Sequence, residues 1–436
     1  VRFAAYVVVA LLFLVPGVAR GVERADTSSV AGLPKPGIAG AHWSAAEIER
    51  LRGEIDGLLR GSAALAGAHV GLYAIDARTG TTLYARNVDD DFTPASNVKL
   101  ITGSAALARL GRDFRFRTTL FATASPREGV IEGDLILHGG GDALLRASDL
   151  EAAAAVLADR GVHTVHGAIR TDASYFDAKR YGDGWVIDDL PYAYAAPVSA
   201  LSLDDNVVAG AGAGADDVPV ADPPAHAADV LRRALEDHGI TTEQASSPGT
   251  PPPGAIMLWQ HDSEPLERVL ADFWYPSDNL IGEELLKALG VAQAGSPGSS
   301  ESGIAAETAF LRSVGVDSAT VSIVDGSGLS RYDECTPRAL VAVLQYDWNS
   351  PHRDVVLDAL PVAGVRGSLK KRFVGTPAQG RVFAKTGGML NVTNLSGYIA
   401  TKHHGTTTFS FLIDHALGED EPIRTLREKV LSLFIE

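Results

Sequence analysis

The chain has one cysteine, Cys335, in 436 residues. A single thiol closes no intramolecular disulfide and builds no cysteine-based zinc cluster. It reads as a small buried residue rather than a reactive one. Positive charge is also scarce, with 38 Lys and Arg against 54 Asp and Glu, a net charge of −16. That balance excludes nucleic acid as the main partner, although one local Lys or Arg can still capture a carboxylate. Long apolar runs are limited to one. Arg2 precedes an almost uninterrupted apolar stretch, 3–16, followed by Gly17, Ala19, Arg20, Glu23, Arg24 and Asp26. This reads as a secretory signal over residues 1–24, so export to the periplasm or another extracytoplasmic space is expected. The stretch is short for a span of ~20 residues, and a retained N-terminal anchor is the alternative. No second run of this kind occurs, so the mature chain is expected to have no membrane span. No cysteine follows the run, which removes a lipoprotein anchor. The histidine pairs His163/His166 and His403/His404 lack carboxylate or cysteine partners at metal spacing. Glycines 139–141 are not followed by the Lys-Ser/Thr of a phosphate loop, and the Ala/Gly stretch 209–215 lacks a dinucleotide-fold strand before it. No metal and no cofactor are therefore implied.

Hydrophobic residues make up 46% of the chain, enough for a full core. The length allows two domains or one domain with a large insert. Helical spacing covers 45–61. A hairpin follows, with strands 69–75 and 81–86 around the Ala77-Arg78-Thr79-Gly80 turn. A helix is expected over 95–110, with Pro94 at its start. From 115 the pattern shifts to short strands at 115–122, 129–137 and 162–171, with helices at 147–160 and 227–238. A Pro/Gly/Ser linker spans 246–254. From 256 a second character begins, with helices at 264–271 and 280–289. A strand over 381–390, strands at 392–400 and 406–414, and a helix at 422–434 close the chain. This predicts an α+β catalytic domain, an antiparallel sheet with flanking helices, split into 27–114 and 256–436 by an inserted α/β domain, 115–255.

Three short patterns carry chemistry. In Ser96-Asn97-Val98-Lys99, positions i and i+3 share a helix face, so the Lys99 amine can lie beside the Ser96 hydroxyl. A serine needs a base before it attacks, and a lysine made neutral by burial can be that base. Ser277-Asp278-Asn279 lies between two helices and offers a second hydroxyl with an amide that both donates and accepts. Lys385-Thr386-Gly387 lies on the late strand. It offers a permanent positive charge, a hydroxyl, and room for a substrate backbone, with the Gly388 N–H unobstructed behind it. A strand edge there can bind extended peptide. Ser368-Leu369-Lys370-Lys371 repeats the first pattern, but it follows the second element, so order selects Ser96. The 325–328 stretch, Asp-Gly-Ser-Gly, reads as a turn that either lines the site or is structural. Trp274 and Tyr275 read as packing rather than ligand contacts, though Tyr275 sits close enough to Ser277 to line the cleft.

S-x-x-K, S-D-N and K-T-G together are the signature of penicillin-binding proteins and class A β-lactamases. The sequence resembles the D-Ala-D-Ala carboxypeptidase/endopeptidase family, the low-molecular-mass class C penicillin-binding proteins. Further matching stretches are Gly133-Asp134-Leu135 with Gly139-Gly140-Gly141-Asp142, Tyr194-Ala195-Ala196-Pro197 with Asn206, Asp325-Gly326-Ser327-Gly328-Leu329-Ser330, Leu360-Pro361-Val362-Ala363-Gly364 and Leu395-Ser396-Gly397-Tyr398. The resemblance implies a serine D-Ala-D-Ala carboxypeptidase with the fold of that family and of the serine β-lactamases. Ser96 would be the nucleophile and Lys99 the general base. Ser277 would be the proton relay, Asn279 would hold the peptide, and Lys385 and Thr386 the terminal carboxylate. Gly387, Gly388 and Tyr275 would complete the substrate site, with the N–H groups of Ser96 and Gly388 as oxyanion hole. Peptidoglycan stem peptides and cross-links would be the partners, and β-lactams covalent inhibitors. Two departures stand out. The insert after Asn206 is shorter than in the family, and Arg366-Gly367-Ser368 replaces a Gly-Thr pattern. Two other readings stay open. A β-lactamase is disfavoured by the long insert and the missing deacylating Glu. A non-catalytic wall-binding scaffold is disfavoured by three intact motifs.

Overall fold

The computed structural model describes residues 33–211, 215–417 and 420–435. The expected signal at 1–24 lies outside the described residues, as does the centre of the 209–215 stretch. No helix among the described residues is long and apolar enough to cross a membrane.

The fold is α+β. Its main sheet has five antiparallel strands in the order Val382–Met389, Val392–Ala400, Thr406–Asp414, His69–Asp76, Thr82–Arg86. The two ends of the chain meet in it, with His69 opposite Asp414. Strand Thr406–Asp414 is buried along its whole length, so both faces of the sheet are covered. On one face, helix Ala45–Arg60 packs Leu51, Ile55 and Leu59 with Phe409, Phe411 and the C-terminal Ile423 and Val430. The Ser44 capping box starts that helix where the sequence places it. On the other face lies a group of helices. The Val98–Leu110 helix has no exposed residue before Ala108, because helices Leu266–Trp274, Asn279–Ala294, Ser300–Ser313 and Pro337–Asn349 surround it. The site serine sits at the end of this buried helix.

The segment between these halves forms its own mixed sheet, ordered Ser247–Pro248, Ile169–Asp172, Leu135–His138, Arg117–Ala122, Ile256–Asp262. Helices Ala147–Asp159 and Pro223–Asp237 cover it. Two expected strands are broken. The 129–137 strand divides into Val130–Ile131 and Leu135–His138, and 162–171 into Thr164–Val165 and Ile169–Asp172. The breaks face each other. Gly167 lies against Gly133, and the Asp134 carboxylate accepts from the Ala168 N–H (2.8 Å) and Arg170 Nε (2.9 Å). Ile256–Asp262 pairs with Arg117–Ala122. It therefore closes the inserted sheet instead of opening the second half of the main one, so the strand that begins at the expected boundary, 256, belongs to the inserted segment. Cys335 is buried, and burial pushes its thiol up to about 12, which keeps it inert. His166 pairs with Glu132 and Glu243 at the surface.

Candidate active site

Pro94 and a short 3-10 turn, Ala95–Asn97, lead into helix Val98–Leu110, so Ser96 sits just before the α-helix and not inside it. Ala95 takes φ 47, a left-handed conformation that a buried alanine adopts only under constraint. The constraint comes from the sheet. Asn394 on the neighbouring strand donates to the Thr93 carbonyl (2.8 Å) and the Pro94 carbonyl (3.0 Å), while its Oδ1 accepts from the Ile413 N–H (3.0 Å).

The structure brings the three motifs to one cleft. Lys99 Nζ lies 3.1 Å from Ser96 Oγ. The amine also donates to Asn279 Oδ1 (2.6 Å) and to the Ser327 carbonyl (2.5 Å). Both of those partners can only accept. In the neutral form of the amine they would hold its two N–H bonds and leave the lone pair for Ser96. Lys99 is fully buried, and burial pulls it down to about 8, against the opposing pull of Asp325, Asp278, Glu283 and Asp333. Trp274 packs inside and donates from Nε1 to the Lys99 carbonyl (2.9 Å), fixing the turn of helix that carries the amine.

Ser277 takes φ 68, again left-handed. Asp278 caps the next helix by accepting from the Ile281 N–H (2.9 Å), which holds the loop. Lys385 Nζ donates to Ser277 Oγ (2.8 Å) and to the Thr386 carbonyl (2.9 Å). Lys385 is buried, and burial together with the Lys99 amine pushes it well below the usual lysine range. The permanent charge expected from residue type alone is therefore opposed by its surroundings. Asn279 Nδ2 donates to the Tyr194 carbonyl (2.8 Å), tying the loop to the inserted segment.

The remaining expected residues divide. Gly388 is exposed and lines the cleft beside Ser96, Ser277 and Asn279. Gly387 faces inward. A Cβ there would stand 2.6 Å from the Pro94 carbonyl oxygen, so the glycine lets the strand lie against the serine turn and does not make room for substrate. Tyr275 stands apart from the cleft. Its hydroxyl donates to the Asp358 carbonyl (2.5 Å), and Arg366 stacks on its ring. The ring is satisfied by packing, and only the Tyr275 carbonyl reaches toward the site, accepting from the Ser368 N–H (2.9 Å). That bond places Ser368 Oγ 2.8 Å from Thr386 Oγ1. The rejected second S-x-x-K thus supplies a neighbour to the site through its serine alone.

The cleft has a volume of about 330 Å³ and is also lined by Asp189, Tyr194, Leu329, Arg331 and Leu390. Asp189 and Arg331 carry no local sequence pattern. Tyr194 opens one of the matching stretches, which was the available signal.

Penicillin-binding protein 4 from Haemophilus influenzae superposes with a TM-score of 0.78, covering 86% of this chain and 98% of that one at 23% identity. A predatory endopeptidase from Bdellovibrio bacteriovorus gives 0.57 over 84% and 92% at 17% identity. The fold is that of these penicillin-binding and peptidase structures. The chain belongs to the D-Ala-D-Ala carboxypeptidase 3 (S13) family, whose pattern matches residues 51–214 and 211–431. A D-alanyl-D-alanine carboxypeptidase from an Actinomadura species is 34% identical over 433 residues, which cover 82% of this chain and 80% of that protein.

Proposed function

We propose that the protein is an exported serine D-alanyl-D-alanine carboxypeptidase that also cuts cross-links, working through a Ser96 acyl-enzyme. Family membership supports the activity, and the geometry around Lys99 supports the residue roles. The observation that carries the reading is a fully buried amine, pulled down to about 8 by burial, whose Nζ lies 3.1 Å from the Ser96 hydroxyl.

In this reading Ser96 Oγ attacks the carbonyl carbon between two D-alanines while Lys99 takes its proton. The N–H groups of Ser96 and Gly388 face the developing oxyanion. The C–N bond then breaks. The leaving D-Ala amine takes a proton from the Ser277 hydroxyl, which is refilled from Lys385 Nζ at 2.8 Å. Lys385 and Thr386, with Ser368 beside it, receive the terminal carboxylate. An incoming carboxylate favours the charged form of Lys385, the form that can refill Ser277. Water repeats the sequence in reverse roles and frees Ser96. A β-lactam would acylate the same oxygen and leave slowly. Cell-wall stem peptides and cross-links outside the cytoplasm are the substrates in this reading.

Two assays test it. D-Ala release from a pentapeptide muropeptide is compared with cleavage of a cross-linked dimer. Labelled penicillin is then mapped by mass. A single adduct on Ser96, lost in Ser96→Ala together with D-Ala release, is expected. Rapid penicillin turnover, or no adduct on Ser96, overturns the reading.

A further inference from the structure

Behind the Lys99 amine lies a buried acid cluster that the steps above leave unused: Asp325, Glu283, Glu307 and Asp333, none more than 1% exposed. Asp325 is its hub. One carboxylate oxygen accepts from the backbone N–H groups of Ser327 (3.1 Å) and Gly328 (2.5 Å). The other accepts from the Ser330 N–H (2.7 Å), the Ser327 hydroxyl (3.2 Å) and Trp185 Nε1 (2.9 Å). Four of these bonds wind 325–330 into one turn, and the fifth ties it to Trp185. The turn aims the Ser327 carbonyl at Lys99 Nζ, and the Gly326 carbonyl accepts from Thr102 Oγ1 (2.8 Å) on the same helix. Glu283 closes it from behind by accepting from the Gly326 N–H (3.0 Å).

Trp185 is not part of the main fold. It belongs to the inserted segment, 140 positions from Asp325 in sequence. Its loop reaches the turn because Gly184 has no side chain. A Cβ at Gly184 would stand 2.3 Å from Ser330 Oγ, and its φ is +78.

We propose that Trp185 and Asp325 are positioning residues for Lys99, through which the inserted segment sets the direction and the electrostatic field of the Lys99 amine. The inference rests on Lys99 acting as the base. The groups facing the amine are Asp325, Asp278, Glu283 and Asp333, which favour its charge, and Lys385, which opposes it. Burial and the Asp325 charge together hold Glu283, Glu307 and Asp333 toward their protonated forms. Asp325 therefore leads the carboxyl groups acting on Lys99. The indole N–H of Trp185 offsets part of that charge. Removing the charge and removing the N–H must then displace the base in opposite directions.

The test is the rate of Ser96 acylation by penicillin between about pH 5 and 10, for the wild type, Asp325→Asn and Trp185→Phe, with thermal unfolding to check folding. Asp325→Asn should move the acid-side inflection down by about one pH unit, and Trp185→Phe up by a few tenths. Plateau rates should fall about 10-fold to 100-fold as the Ser327 carbonyl loses its aim. Inflections that stay at the wild-type pH, or that move the same way in both variants, overturn the proposal. If Asp325→Asn does not fold, an unmoved inflection in Trp185→Phe overturns it alone. Failure of the wild type to be acylated at Ser96 would instead overturn the base assignment itself, so the two failures are distinguishable.

Discussion

At the scale of single residues, the site is a contest between burial and charge. Lys99 is buried, and its nearest partners are two acceptors and one hydroxyl. With the amine at about 8, the neutral, proton-accepting form gains as pH rises through that value. Acylation should therefore climb about tenfold per pH unit below the inflection and level off above it. Lys99→Arg keeps a cation in place but cannot accept the proton, so kcat/KM for D-Ala release should fall at least ~10³-fold with no gain at high pH. Steady-state assays across pH check both outcomes. These residues were legible in sequence because their chemistry is local: Ser96 and Lys99 share a turn, and the other motifs are contiguous triplets. Asn394 and Arg331 were not legible as parts of the site, and 325–328 was legible only as a turn that either lines the site or is structural, without the role of the Ser327 carbonyl. Their contributions exist only after distant segments pack, and a carbonyl has no residue type to betray it. Tyr275 failed as a site residue for the converse reason, since adjacency to Ser277 says nothing about where a ring points.

At the scale of elements, the decisive contact is between the Val382–Met389 strand and the turn before Ser96. Gly387 makes it possible, with a would-be Cβ 2.6 Å from the Pro94 oxygen. Gly387→Val should push the strand off that turn. The expected result is a loss of ~10²-fold or more in penicillin acylation, with the thermal midpoint falling by a few degrees rather than the fold being lost. Mass labelling and calorimetry measure the two separately. The main-sheet strands and their helices were readable from alternation and spacing, because each is long and one or both faces are buried. The inserted sheet was harder. Its strands are short and are interrupted around Gly133 and Gly167, where a Cβ at Gly167 would stand 2.4 Å from the Gly133 carbonyl oxygen and one at Gly133 would meet the Thr123 hydroxyl. Ile256–Asp262 was read as the start of something new, since sheet partnership across more than a hundred residues leaves no trace in local composition.

At the scale of the whole molecule, acid is stored in the interior. Burial raises Glu283, Glu284, Glu307, Asp333 and Asp347, with Glu307 reaching about 8 and Asp347 about 7. In the unfolded chain these groups titrate near their ordinary values, so between about pH 4 and 8 unfolding releases protons. Stability is then highest at the acid end of that window and declines as pH rises through it. Lys385 and His226, pushed down, act the other way but are outnumbered. The thermal midpoint at pH 5 should exceed that at pH 8 by about 5 °C or more, measured by scanning calorimetry at constant salt. Activity should run in the opposite sense, since Lys99 loses its proton only as pH passes about 8. The sheet order has one more consequence. Strand Thr406–Asp414 sits between Val392–Ala400 and His69–Asp76, so the sheet that carries Lys385 is not assembled from either half of the catalytic domain alone. Ser96 follows the His69–Arg86 hairpin, whereas Lys385 and Asn394 lie beyond the inserted segment. A single cut inside that segment would leave the nucleophile on one fragment and Lys385 with Asn394 on the other, and only their re-association would restore the site.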